Sequence, residues 1–135
     1  MKLFFATLAL AGLSTMASQS YAQTVGELLH GCEDVLKPRG ERNSTLHSDG
    51  VMCLGIAAGV SQVLWFNCSS RTEGNYPHDT LVAAMPPSRT AALQAFVNWS
   101  KENPGMWGFQ AELGFIEALP TYFPCTEQSA GAVEG

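Results

Sequence analysis

The four cysteines constrain the fold of this chain more than any other feature. They are Cys32, Cys53, Cys68 and Cys125. No two of them form a C-x-x-C pair, and their spacing matches no zinc-binding pattern. An even number of cysteines in an exported chain favours disulfide bridges, and four cysteines can pair in three ways.

The N-terminal segment 1–22 predicts that the chain is exported. Lys2 precedes the apolar stretch LFFATLALAGL, and Ser20-Tyr21-Ala22 fits a small-x-small cleavage site before Gln23. An uncleaved membrane anchor is the alternative, but the segment has the length of a signal peptide. We therefore predict a signal peptide over 1–22, one domain over 23–125 and a flexible tail over 126–135. No later segment is expected to cross a membrane.

The charge of the mature chain limits its partners. Cleavage removes Lys2 and leaves six basic residues against twelve acidic ones, a formal charge of −6. A nucleic-acid-binding protein needs a basic face, so we exclude that class. The negative charge suits a cationic protein partner, or it serves only to keep an exported protein soluble.

Hydrophobic periodicity predicts an all-α domain of four main helices. The first follows a capping box formed by Thr24 and Glu27 and ends at Pro38. The second begins near Ser48 or Asp49 and continues to Phe66. Within it, Gly55 and Gly59 indicate tight core packing rather than membrane dimerisation.

Two further helices complete the predicted domain. Ser88 caps the third helix, which stops at Asn103-Pro104-Gly105. The fourth spans about 107–119 and is expected to bury Leu113, Ile116 and Leu119. Pro120 is predicted to end or kink it, because proline lacks the amide donor of the helical hydrogen bond.

Helix geometry narrows the disulfide pairing. Cys53 and Cys68 lie near opposite ends of the second helix, about 22 Å apart, which is beyond disulfide reach. Antiparallel neighbouring helices favour Cys32–Cys53 together with Cys68–Cys125. The pairing Cys32–Cys68 with Cys53–Cys125 remains open.

The segment 67–87 is predicted to be a long loop and a recognition surface. Loops of this length are usually functional or disordered, and it contains Arg71, Tyr76 and His78. We assign binding of a protein partner to these three residues, because arginine and tyrosine are frequent in binding hot spots. An ordinary surface excursion is the alternative.

The sequence offers no strong catalytic or cofactor motif. The three histidines fall in separate elements without metal-ligand spacing, and there is no nucleophile elbow or phosphate loop. A cysteine–histidine pair using Cys53 or Cys68 is conceivable, but bridged cysteines are favoured. We predict that the chain is not an enzyme and needs no metal or cofactor.

Two motifs carry a resemblance to a known family. They are CLGIAAGV at 53–60 and EALPTYFPC at 117–125, with a cysteine on the first helix and a third helix that stops at Asn103-Pro104. Over about 26–125 the chain resembles the Rap/Tai family of type VI secretion immunity proteins. Members carry a cysteine in a C-I-P-like triplet before the third helix, where this chain has Met85-Pro86-Pro87. The bridge to Cys125 is therefore expected to start from Cys68.

The resemblance implies a periplasmic immunity protein that is often dimeric. Such proteins bind toxic cell-wall amidases, the effectors delivered by sister cells, and block the substrate cleft sterically. The resemblance therefore implies effector binding by Arg71, Tyr76 and His78. The alternative function is that of a small periplasmic stress protein, an acid-activated holdase that is also helical and disulfide-bonded.

Overall fold

A computed structural model describes residues 23–72 and 81–126 of the chain. Within these ranges the chain folds into four α-helices and no strands, which confirms the predicted all-α class. They are α1 (Val25–Leu36), α2 (His47–Thr72), α3 (Arg89–Glu102) and α4 (Ala111–Tyr122). Short 3₁₀ turns cover Arg39–Glu41, Ser44–Leu46 and Pro104–Met106. The predicted signal peptide and nearly all of the predicted tail lie outside the described residues.

Capping residues fix the starts of α1 and α3 as the sequence predicted. The Thr24 hydroxyl accepts from the Glu27 amide, and the Glu27 carboxylate accepts from the Thr24 amide. The Ser88 hydroxyl accepts from the Ala91 amide. Each contact satisfies an amide that has no partner inside its helix, so the start of each helix is specified locally.

The second helix is longer than predicted. It starts at His47 and continues to Thr72, so 67–72 are helical and Cys68 lies on the helix rather than in a loop. No proline or glycine interrupts the chain between Gly59 and Gly74. Leu64 and Cys68, one helical turn apart, are both buried, so core packing extends the helix beyond the last strongly apolar residue.

This helix also corrects the expectation that no segment after the signal could cross a membrane. The span Ser44–Arg71 is long and apolar enough by length and composition, with a mean hydropathy of 1.6. Mostly buried core helices of soluble proteins meet the same criterion, whereas 28% of the apolar stretch of this helix is buried. Here Cys53 and Cys68 are bridged to neighbouring elements, and α2 packs against the three other helices.

Both favoured disulfides are present. Cys32 of α1 is bonded to Cys53 of α2, with 5.5 Å between their Cα atoms. Cys68 near the end of α2 is bonded to Cys125 beyond α4, with 5.7 Å between the Cα atoms. Two bridges are typical of an oxidising, extracytoplasmic compartment.

The core lies where the four helices meet. Phe96 of α3 and Phe115 of α4 are fully buried and stack with ring centroids 4.2 Å apart. Leu28 of α1 and Leu93 of α3 are likewise buried. Aromatic and aliphatic burial of this kind supplies most of the stability of a small helical domain.

The fourth helix differs from prediction at both ends. It begins at Ala111 instead of near residue 107, and Leu113 is 40% exposed rather than buried. It also continues past Pro120 to Tyr122. Pro120 has no amide to donate to the preceding turn, but the helical hydrogen bond from the Phe123 amide to the Leu119 carbonyl is still made, at 2.7 Å.

Candidate protein-binding surface

The cysteines and histidines of the described residues form no metal or nucleophile site. All four cysteines are bridged, so Cys53 and Cys68 carry no thiolate. No group of three or more histidine, cysteine, aspartate or glutamate side chains within 23–72 and 81–126 could hold a metal ion. His30 lies on the surface of α1 beside Glu33, and His47 is exposed at the start of α2.

The three residues assigned to effector binding are only partly described. Arg71 is half-buried in the last turn of α2. Tyr76 and His78 lie outside the described residues. The assignment of these residues to a binding surface therefore stays a prediction, and the described surface directs attention to two other regions.

The first region is an apolar line on the outer side of α2, which we call the α2 crest. It consists of Met52, Gly55, Gly59, Val63 and Phe66, all exposed, at the three- and four-residue spacing of one helix face. Val63 is 60% exposed and Phe66 is 57% exposed. Large apolar side chains gathered on one face are a common mark of an interaction site.

A groove separates the crest from α4. It has a volume of about 500 Å³, and its wall is formed by aliphatic residues of α2 together with Leu81 and Ile116. Among the described residues of this wall, Glu112 is the charged one. On the opposite side of the crest, a smaller pocket of about 180 Å³ lies against the start of α3 and includes Arg89.

The second region is the turn between α3 and α4, which we call the aromatic corner. It consists of Trp107, Phe109 and Leu113, which are 41%, 49% and 40% exposed. None of them contributes to the buried core. Three large apolar side chains close together in sequence thus face solvent at one end of the helical bundle.

Backbone hydrogen bonds hold the aromatic corner rigidly against the start of α1. The Val25 amide donates to the Phe109 carbonyl at 2.8 Å, and the Gly26 amide donates to the Trp107 carbonyl at 3.0 Å. The Trp107 indole nitrogen donates to the Ser100 carbonyl at 2.7 Å. The N-terminal amides of α1, which lack intrahelical partners, are thereby used to fix the corner.

Sequence reasoning missed both regions. Gly55 and Gly59 were assigned to core packing, but a β-carbon placed on either would meet no atom within 4 Å. Leu113 was likewise assigned to the core. In a helix that is apolar on all sides, hydropathy does not tell which side faces solvent. The absence of charge between Asp49 and Arg71 was the available signal.

Comparison with known proteins gives the chain no relative. No family model matches the sequence, and no curated protein or solved structure matches it either. Any functional inference therefore rests on the surface described above and on the sequence motifs themselves.

Proposed function

We propose that this chain is a periplasmic immunity protein that binds a peptidoglycan-degrading amidase of a type VI secretion system and blocks its substrate cleft. The motifs CLGIAAGV and EALPTYFPC support the family assignment. The two disulfides support a compartment in which such an amidase would act.

The aromatic corner is the observation that carries this proposal. Trp107 and Phe109 combine a large exposed area with a backbone that is already fixed. Rigid aromatic anchors lose little conformational freedom on binding, and aromatic residues dominate binding hot spots. An exposed apolar surface held by fixed backbone is suited to contact with a partner protein, and we infer that it covers the substrate cleft of the amidase.

Charge supports a cationic enzyme as the partner. The mature chain carries six basic against twelve acidic residues. Opposite net charge raises the rate of encounter without fixing the docking geometry. We expect the association rate to fall as salt is added, while the dissociation rate depends on the aromatic corner.

The test is a binding measurement with substitutions in the aromatic corner. The mature, oxidised protein is used to capture its partner from periplasmic extract, and the affinity for the captured amidase is then measured by calorimetry. Phe109→Ala is expected to weaken binding by roughly 10- to 100-fold, since hot-spot truncations cost about 2 kcal/mol or more. Leu81→Ala, a truncation of another exposed apolar residue, is the matched control.

Thermal unfolding of Phe109→Ala and of Leu81→Ala checks that each variant keeps the fold. If Phe109→Ala and Trp107→Ala both bind the amidase as tightly as the unmodified protein, the aromatic corner is not the contact surface. If no peptidoglycan amidase is captured at all, the immunity function itself is wrong.

The α2 crest favours a second candidate function, that of a holdase. An exposed apolar surface without charge could bind many unfolded clients weakly. A holdase suppresses aggregation of unrelated proteins at acid pH, whereas an immunity protein binds one enzyme tightly. Light scattering of an acid-denatured client, with and without this protein, separates the two functions.

A further inference from the structure

The smaller pocket, which we call the α3 pocket, combines polar groups with an apolar wall. It has a volume of about 180 Å³, and its polar residues are Ser61 and Gln62 of α2 with Ser88 and Arg89 at the start of α3. No aspartate or glutamate is among the described residues that line it. The α3 pocket therefore carries a positive charge in a chain whose net charge is negative.

Ser61 contributes a polar group that the fold leaves unsatisfied. The residue is 7% exposed, and its hydroxyl has no hydrogen-bond partner among the described residues. Most buried hydroxyls in proteins are hydrogen-bonded, because an unpaired one costs free energy. A ligand that accepts a hydrogen bond from Ser61 would remove this cost.

The start of α3 supplies further donors. The Ser88 hydroxyl accepts from the Ala91 amide, and the Ser88 carbonyl accepts from the Ala92 amide. The amides of Arg89 and Thr90 have no acceptor among the described residues. Amides without acceptors and the dipole of a 14-residue helix both favour an anion at this end of α3.

The Arg89 side chain adds a full positive charge to the α3 pocket. It is exposed, and the ion pairs formed within 23–72 and 81–126 use the acidic residues Glu33 and Asp34 instead. A guanidinium can bind a carboxylate through two parallel hydrogen bonds. An unpaired arginine beside an unsatisfied serine thus favours a ligand that is anionic and accepts several hydrogen bonds.

The rest of the wall selects among anions. It is formed by small or apolar residues, namely Ala57, Ala58, Met85, Pro86 and Ala92. Sulfate or phosphate would bring no apolar surface to cover this wall, whereas a carboxylate on a short apolar group would. The volume of about 180 Å³ equals that of about six water molecules at roughly 30 Å³ each, so the ligand is no larger than one small residue.

We propose that the α3 pocket binds a carboxylate attached to a short apolar group. Arg89 and the start of α3 supply the opposite charge, and Ser61 donates a hydrogen bond. The carboxylate belongs to a small free acid or to the last residue of a peptide, since both present the same chemistry. The site is separate from the aromatic corner, because the α3 pocket lies at the start of α3 and Trp107 follows its end.

An NMR titration of the mature, oxidised protein with N-acetylalanine tests this proposal. Saturable shifts are expected for the amides of Ser61, Arg89 and Thr90. N-acetylalanine amide has the same shape without the charge and is expected to cause no saturable shift. Arg89→Gln should weaken N-acetylalanine binding by roughly three- to tenfold. Arg39→Gln, a change at an exposed arginine of the 3₁₀ turn after α1, is the matched control and should leave binding unchanged.

Ser61→Ala separates a role in ligand binding from a role in stability. Because the hydroxyl has no partner in the fold, its removal should leave the melting temperature unchanged or higher. The same change should weaken N-acetylalanine binding by roughly threefold or more. Equal binding of N-acetylalanine and its amide, or binding that neither Arg89→Gln nor Ser61→Ala weakens, would overturn the proposal.

Two further ligands distinguish the sources of the carboxylate. Propionate that binds as tightly as N-acetylalanine indicates a small free acid, whereas tighter binding of N-acetylated trialanine indicates the end of a peptide. Arg89→Gln should also leave affinity for the captured amidase unchanged, since the aromatic corner is a separate surface. Failure of carboxylate binding and failure of the proposed immunity function are therefore observed independently.

Discussion

A single carboxylate organises the connection between the first two helices. Asp34 is 4% exposed and accepts from the Asn43 amide at 3.0 Å and from Lys37 at 3.1 Å. Arg42, next to Asn43, donates to the carbonyls of Val35 and Lys37 at the end of α1. These contacts join the polar segment between the helices to α1.

The Asp34 site predicts a pH-dependent contribution to stability. The Asn43 amide lowers the pKa of Asp34 below 3.8, Lys37 and Arg42 lower it further, and burial opposes them. A carboxylate with a lowered pKa stabilises the folded chain above its unfolded pKa, and this contribution is lost as pH falls through the folded value. Asp34→Asn should therefore lower the melting temperature near neutral pH.

Thermal unfolding at about pH 7 and about pH 3 checks this prediction, because the unfolded pKa of aspartate is near 3.9. The difference between wild type and Asp34→Asn should be full at the higher pH and smaller at the lower one. Glu117→Gln, a change at an exposed carboxylate of α4, is the control. A difference that grows as pH falls would contradict the assigned role of Asp34.

At the scale of elements, α1 and α2 meet through a glycine. A β-carbon on Gly31 would lie 2.5 Å from the β-carbon of Asp49 and 2.6 Å from its carbonyl carbon. Backbone atoms cannot move aside as a flexible side chain can. Only glycine therefore permits this approach, which also places Cys32 near Cys53.

Gly31→Ala should destabilise the protein by about 1–3 kcal/mol, the usual cost of overpacking a well-packed contact. Gly55→Ala is the matched control, since its site is open and alanine is preferred in a helix by roughly 0.5–1 kcal/mol. Urea unfolding of dilute protein measures both. Equal stability of Gly31→Ala and wild type would show that the helices can separate at this contact without cost.

Local sequence signals were sufficient to predict where α1 and α3 begin. They were insufficient to predict where α2 ends or which side of α4 faces solvent. Thr24 and Ser88 mark helix starts by side-chain chemistry that depends on no distant residue. The end of α2 depends on packing around Cys68, and the exposure of Leu113 depends on which helices surround α4. Pro120 was overestimated as a helix stop because its effect depends on the hydrogen bonds that flank it.

At the scale of the whole molecule, the C-terminal segment closes the bundle. Cys125 is bonded to Cys68, and the Ala84 amide donates to the Phe123 carbonyl at 2.8 Å. Tyr122 and Phe123 pack against the core. The motif EALPTYFPC thus joins α4, the end of α2 and the segment before α3.

Removing this closure should destabilise the entire domain. The Cys68–Cys125 bridge closes a sequence separation of 57 residues. Restricting an unfolded loop of that length is worth about 4 kcal/mol in the chain-entropy description. The double variant Cys68→Ala/Cys125→Ala should lose about that much free energy of unfolding, measured in urea. As a control, a mild oxidant should not change the free energy of unfolding of the wild-type protein. A loss below about 1 kcal/mol would contradict this estimate.

The pairing of the cysteines could be argued from sequence, whereas the binding surfaces could not. Helix length excluded a bridge between Cys53 and Cys68, and short connections favoured the observed pairs. The aromatic corner depends on hydrogen bonds between α1 and the α3–α4 turn, which are distant in sequence. No local pattern encodes such a contact.

We propose that this protein inhibits a cell-wall amidase by covering its substrate cleft with the aromatic corner. The most direct measurement is the rate at which the captured amidase releases peptides from purified peptidoglycan, titrated with mature, oxidised protein. We expect hydrolysis to fall to background near an equimolar ratio with wild-type protein, and to require a large excess of Phe109→Ala protein. Unchanged hydrolysis in the presence of excess wild-type protein would contradict it.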